Sequence, residues 1–158
     1  MEWIVATILW LAPQLGDATA RQYARLIDTE TRRQRADPAL VVAIVHLESS
    51  WNRRSRSRTR DYGLMQVHVS DRPGDAYRGR EHLLLDPRVN IRAGVRVLSM
   101  WRRYHARACG PHSAHPYWAH YRSGYRATVT DWERRIGELR AKLKRRREEQ
   151  PRQIAMGD

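Results

Sequence analysis

Phenylalanine is absent, and cysteine occurs once, at Cys109. A lone cysteine cannot close an intramolecular disulfide, so a disulfide-stapled scaffold is excluded and the redox compartment is left open. The apolar run Trp3–Ala12 has ten residues, short of the roughly 20 that a membrane-spanning helix needs. Nowhere does polar and apolar sequence alternate for long, and no turn dipeptide separates β-branched runs, which argues against an all-β fold. No internal repeat is visible, so solenoids and propellers are excluded. Lysine is nearly missing: all but two of the 30 basic residues are arginine.

What is present is a chain of 158 residues with a net charge of +13. That length fits one compact domain with tails and can bury a sizeable core. The charge attracts polyanions such as nucleic acid, anionic lipid or anionic cell-wall polymer, and does not choose among them. Genome composition explains an arginine excess equally well. Six tryptophans and seven tyrosines give the aromatic surface polar tips, which suits a wet groove.

The patterning predicts a mainly α fold. Residues 1–20 carry two readings. The apolar run and the Ala18-Thr19-Ala20 pattern resemble a secretory signal, yet Glu2 stands where a basic residue is usual and no Lys or Arg precedes Arg21. The other reading is a short apolar helix packed on the domain. A first long helix is predicted over Asp17–Arg35, with Ala20, Tyr23, Ala24 and Ile27 on one face. Asp37-Pro38 supplies an N-cap and a first-turn proline, and the segment to Ser49 is apolar nearly all round, as a buried central helix must be.

Arginine-rich Trp51–Arg60 reads as a loop, Asp61–Val69 as a short β segment or turn, and Ser70–Glu81 as surface chain. Asp86-Pro87 repeats the capping device and starts a helix to about Arg107. Gly94 inside it, at a cost of about 1 kcal/mol relative to alanine, predicts close approach by another helix. After a loop over Ala108–Pro116, a helix is predicted over Tyr117–Ser123, and Thr130-Asp-Trp-Glu133 forms a capping box for the last helix. The domain is placed at residues 21–143. Residues 144–158 are expected to be a charged extension, with 151–158 disordered.

Glu48 ends the apolar helix. The helix macrodipole and burial both disfavour an anion there and push the carboxyl pKa up, which is what a general acid near neutral pH requires. By itself the position fits an ordinary solvated glutamate better. Its context decides otherwise. Glu48-Ser49-Ser50-Trp51-Asn52, then Ser57, then Gly63-Leu64-Met65-Gln66, resemble the signature of the lytic transglycosylases with the soluble-transglycosylase (SLT) lysozyme-like domain, family 1 type. Asp86-Pro87 with Asn90-Ile91 and Gly94, and Tyr121-Arg122-Ser123-Gly124, resemble further parts of it, over roughly Ala20–Leu139.

The resemblance implies a lysozyme-like helical domain that cleaves peptidoglycan between N-acetylmuramic acid and N-acetylglucosamine. It implies that Glu48 acts as acid and then as base, giving 1,6-anhydro ends. It implies that Ser49 orients Glu48 or substrate, that Ser57, Tyr62, Gly63, Met65 and Gln66 line the groove, and that Tyr121 hydrogen-bonds near Glu48. There are two departures. Arg122 replaces the usual Asn after the tyrosine, and Asp61 replaces a small residue. Asp61-Tyr62-Gly63-Leu64-Met65-Gln66 resembles the strand motif of animal-type lysozymes, whose aspartate is the second catalytic carboxylate. Asp61 is therefore carried as a stabiliser or nucleophile in a muramidase-like alternative, against simple pairing with a loop arginine.

Trp51, Tyr62, Trp118 and Tyr125 are candidates for stacking on sugars, with core packing equally open; the basic loop Arg53–Arg60 could meet peptide-stem carboxylates. Cys109, His112 and His115, with His105 and His120 nearby, match no zinc spacing closely, so they read as loop residues and neither metal nor cofactor is expected. A basic nucleic-acid-binding domain is the rival of another class, but no such module is recognisable. A catalytically dead peptidoglycan binder is disfavoured by Glu48 itself. The expected partners are peptidoglycan glycan strands and, as a further class, anionic cell-wall polymers. The protein is expected to be a periplasmic or secreted monomer, with no nucleic acid partner and no stable membrane span.

Overall fold

Two aspartates start the two helices that matter most. Asp37 accepts a hydrogen bond from the Ala39 amide at 3.0 Å, and Asp86 accepts from the amides of Arg88 and Val89 at 2.8 and 3.1 Å, each with proline in the first turn. In the computed structural model, which describes residues 1–155, the elements in order are α1 (Glu2–Leu11), α2 (Gly16–Gln34), α3 (Pro38–Ser49), β1 (Asp61–Tyr62), β2 (Val67–His68), α4 (Pro87–Ala108), α5 (Ala119–Ser123) and α6 (Asp131–Ala155). The fold is mainly α, as the patterning predicts. The β segment is a two-stranded antiparallel ribbon that pairs Asp61 with His68 and Tyr62 with Val67.

Helix α3 is the centre. Every residue from Ala39 to Val45 is buried, and α1, α2 and α6 pack around it. α1 brings Ile4, Val5 and Ile8 into this core. Each fully buried isoleucine there is worth about 1.5–3 kcal/mol. Ala20, at the end of the Ala-Thr-Ala pattern, is buried within α2 rather than lying in an extended segment.

Through the charged extension that begins at Lys144, α6 continues to Ala155. The cause is visible at its start. Lys142 and Arg146 lie 4.7 and 4.8 Å from the Trp10 ring, and Arg147 lies 5.2 Å from that of Trp3. These cation–π contacts hold the basic side chains against α1. The disordered tail expected at 151–158 lies in its last three residues outside the described residues.

The ribbon is fastened to α4 by one side chain. Buried Asn90 donates from Nδ2 to the carbonyls of Tyr62 (2.7 Å) and Leu84 (2.9 Å), and its Oδ1 accepts from the Met65 amide (2.7 Å). The partner of Gly94 is not another helix. A Cβ there would come within 2.8 Å of the Met65 Cβ, so the missing side chain admits methionine from the ribbon loop.

Asn90→Ala would orphan two carbonyls and one amide in the interior. A loss of about 2–4 kcal/mol is expected, read as a lower urea midpoint with an unchanged slope.

Candidate active site

Glu48 lies in the last turn of α3, and the chain reverses immediately after it. Ser50 and Trp51 both take left-handed backbone angles, φ 49° and 68°. A tryptophan in that region is strained by about 1–3 kcal/mol and persists only where its surroundings fix it. Here the Trp51 ring is stacked on Tyr23 at 6.2 Å, and its indole N–H donates to His46 Nδ1 at 3.2 Å. Trp51 is 2% exposed, so it is core and not a sugar platform.

The reversal leaves Glu48 facing a cleft of about 1000 Å³, which Asp61, Gln66, Tyr121, Arg122 and Trp132 also line. A second cleft of about 850 Å³ shares Thr59, His68, Ser70, Trp101 and Gly124 with the first, so the two form one elongated groove. Burial pushes the Glu48 carboxyl up to about 7; the Arg122 guanidinium opposes this, the Asp61 charge adds to it, and the Trp132 indole N–H opposes it slightly. Arg122 is pinned over the Trp132 ring at 5.8 Å. The sequence shows Arg122 only as a departure from the motif, and Trp132 only as a helix-face residue. Their place beside Glu48 depends on how α5 and α6 fold back onto α3.

Asp61 is held by hydroxyls and a histidine. Its Oδ2 accepts from Ser57 Oγ and Thr59 Oγ1, and His68 Nδ1 lies 2.9 Å from Oδ1. The alternative of pairing with a loop arginine is not what the structure contains: Arg60 pairs with Asp71 and Glu81. Ser57 lines the groove, but its hydroxyl is occupied with Asp61.

The remaining motif residues divide between groove and scaffold. Gln66 lines the groove, with φ 47° and its amide donating to the carbonyls of Gly63 (2.9 Å) and Ser55 (3.3 Å). Tyr121 also lines it and donates its hydroxyl to the Met65 carbonyl at 2.9 Å. Burial, then the charges of Glu48 and Asp61, push its phenol above the usual range. Met65 does not line the groove. Its side chain is fully buried against Gly94, and its carbonyl alone reaches the site wall.

Gly63, at φ +73°, is likewise a packing residue, since a Cβ would run into the Leu84 carbonyl and Asn90. Ser49 is buried and donates to the Val45 carbonyl at 3.0 Å, spending its hydroxyl on the helix. Tyr62 gives Asn90 its carbonyl and packs its ring on the core. Trp118 also packs on the core, whereas Tyr125 is 67% exposed beside the second cleft.

One constellation that reads as loop residues from its spacing comes together in the structure. His105, Cys109, His115 and His120 place donor atoms within 4.8 Å of one another. They come from the end of α4, the following loop and α5, so no short motif encodes them. His112 is not among them.

Protonated Glu48 can donate to an oxygen in the groove, and the anion left behind faces Arg122. The cost of this arrangement is testable. Folded Glu48 keeps its proton to about pH 7, whereas its ordinary value is 4.5. Between these values the folded protein binds more protons than the unfolded chain, so this group lowers stability as pH rises and levels off above 7. Glu48→Gln is therefore expected to be more stable than wild type by about 2–3 kcal/mol at pH 8 and nearly equal at pH 4. Denaturation at both pH values measures this; equal stability at pH 8 would contradict it.

Comparison with known proteins identifies the family. The family described as the transglycosylase SLT domain matches residues 25–141. Membrane-bound lytic murein transglycosylase C of Photorhabdus laumondii subsp. laumondii is 34% identical over 104 residues, 61% of this chain and 29% of that protein. Membrane-bound lytic murein transglycosylase E of Buchnera aphidicola is 30% identical over 92 residues, 54% of this chain and 42% of that protein. The chain thus matches less than half the length of either relative. No solved structure matches. With the profile covering the span from α2 to α6, this chain belongs to the transglycosylase SLT domain family.

Proposed function

We propose that this protein is a peptidoglycan lytic transglycosylase that cleaves the β-1,4 bond between N-acetylmuramic acid and N-acetylglucosamine. The observation that carries the reading is a carboxyl group with a pKa of about 7 facing an elongated groove. A general acid must hold its proton near the working pH and give it up readily, and burial tunes Glu48 to that range. The names of the two relatives agree with murein as substrate.

Glu48 donates its proton to the glycosidic oxygen as the bond to muramoyl C1 breaks. The Glu48 carboxylate, now beside Arg122, takes the proton of the muramoyl C6 hydroxyl as that oxygen attacks C1. The enzyme returns to its starting state, and the product is a 1,6-anhydro end. One carboxyl group suffices because the nucleophile is tethered to the reacting sugar. Asp61 stabilises the positive charge that develops on the ring, since an anion held by two hydroxyls and His68 is already oriented. The same position would let it serve as nucleophile in a muramidase, the second reading.

Along the second cleft, Arg58 and Arg72 suit peptide-stem carboxylates or other wall anions, and exposed Tyr125 suits a sugar face. The site of action is on the wall side of the membrane, periplasmic or secreted. Among the described residues no helix is long and apolar enough to cross a membrane.

Zymography on cell walls tests the proposal. Wild type is expected to clear, and Glu48→Gln to lose about 100-fold or more of the activity. Clearing by both, or by neither, would overturn the assignment. Asp61→Asn is expected to lose about tenfold or more; full activity would remove Asp61 from the chemistry. Mass spectrometry of the released muropeptides separates the two readings, because an anhydro end is one water lighter than a hydrolysed one.

A further inference from the structure

In the wall of the groove, His120 is the buried centre of a side-chain cluster that the proposed reaction does not use. His120 Nδ1 lies 2.7 Å from the Gly124 carbonyl. A carbonyl only accepts, so that nitrogen carries a proton, and in the neutral ring Nε2 presents a single lone pair. Three groups converge on that lone pair: His115 Nε2 at 3.2 Å, His105 Nδ1 at 3.3 Å and Cys109 Sγ at 3.6 Å. One lone pair can accept one good hydrogen bond, so hydrogen bonding leaves most of this convergence unexplained.

A tetrahedral metal ion accounts for the three contacts at His120. With metal–nitrogen bonds of about 2.0–2.1 Å and a metal–sulfur bond of about 2.3 Å, tetrahedral edges are about 3.3 Å between nitrogens and about 3.6 Å between nitrogen and sulfur. The three separations around His120 match these edges; all four donor atoms lie within 4.8 Å of one another, so the other three need a small inward shift of the side chains to close on an ion. The outer contacts are those a metal site requires. His120 is fixed by the Gly124 carbonyl, and His115 Nδ1 lies 3.2 Å from Ser113 Oγ, which leaves its Nε2 facing inward. Trp101 is stacked on the His120 ring at 5.2 Å, and the Tyr104 ring meets it edge-on at 5.3 Å.

We propose that His105, Cys109, His115 and His120 form a structural zinc site of His₃Cys type. Four protein donors close the tetrahedron, so no position is left for a substrate or catalytic water. One thiolate with three imidazoles favours zinc over magnesium or calcium, which take oxygen ligands. The ion ties the C-terminal end of α4 to the loop after it and to α5, in which Tyr121 and Arg122 of the groove wall directly follow His120. Binding would fix that wall from behind.

The test uses the full chain, loaded with zinc and then dialysed, with metal counted by plasma emission. One zinc per chain is expected for wild type and for His112→Ala, whose side chain is outside the cluster. Cys109→Ser and His120→Ala are each expected to bind at least 10-fold more weakly. Replacing zinc by cobalt(II) should give strong visible tetrahedral bands and a thiolate charge-transfer band, the latter lost in Cys109→Ser. Chelation of wild type should lower Tm, and zinc should restore it.

Two results overturn the site: substoichiometric zinc in folded wild type after loading, or full retention by folded Cys109→Ser and His120→Ala. If the variants do not fold, the cobalt spectrum of wild type decides alone: absence of thiolate-to-cobalt absorption refutes the assignment. None of these readings depends on peptidoglycan cleavage.

Discussion

A carboxyl group half-buried at the end of an apolar helix is what the rest of the molecule is arranged around. A glutamate in solvent would be ionised at neutral pH and useless as an acid. Burial holds the Glu48 proton to about pH 7 at a cost of a few kcal/mol in the ionised form. The core of α1, α2, α3 and α6 supplies the stability to bear it. Arg122 moderates the shift, so that the anion formed on proton donation is not left alone.

The opposite wall of the groove is built with little regular structure, and this is why Asn90 matters. A ribbon of two residues per strand cannot hold itself in place. Asn90 fastens it to α4 from one side, Gly63 and Gly94 let the chains approach, and the Tyr121 hydroxyl joins its Met65 carbonyl to α5. Asp61 and Gln66 thereby face Glu48 across the groove although neither lies in a long element. The strained turn at Ser50 and Trp51 performs the same service on the α3 side.

The helical framework was legible because its signals are local. Asp-Pro at 37–38 and 86–87 and the capping box at 130–133 mark starts that the structure contains, and the apolar faces of α2 and α4 point inward as their periods require. Glu48, Asp61, Gln66 and Tyr121 were legible through motif context, and all four line the groove. Met65 and Gly63 were assigned to the groove by the same context, yet they serve packing, and Ser49, expected to orient Glu48 or substrate, gives its hydroxyl to the Val45 carbonyl. A motif shows that a residue type is needed, not which of its atoms is used. Arg122, Trp132 and the histidine–cysteine cluster were obscure for another reason: each depends on segments far apart in sequence being folded together.

The central claim is that half-buried, protonated Glu48 is the acid that cleaves the glycan. The pH dependence of kcat/KM on purified peptidoglycan tests it most directly. Activity should fall as pH rises through about 7. Because Arg122 lowers the Glu48 pKa, Arg122→Gln should move that limb to higher pH even where the overall rate drops. A limb that stays fixed in Arg122→Gln, or activity that remains flat from pH 6 to well above 8, would contradict it.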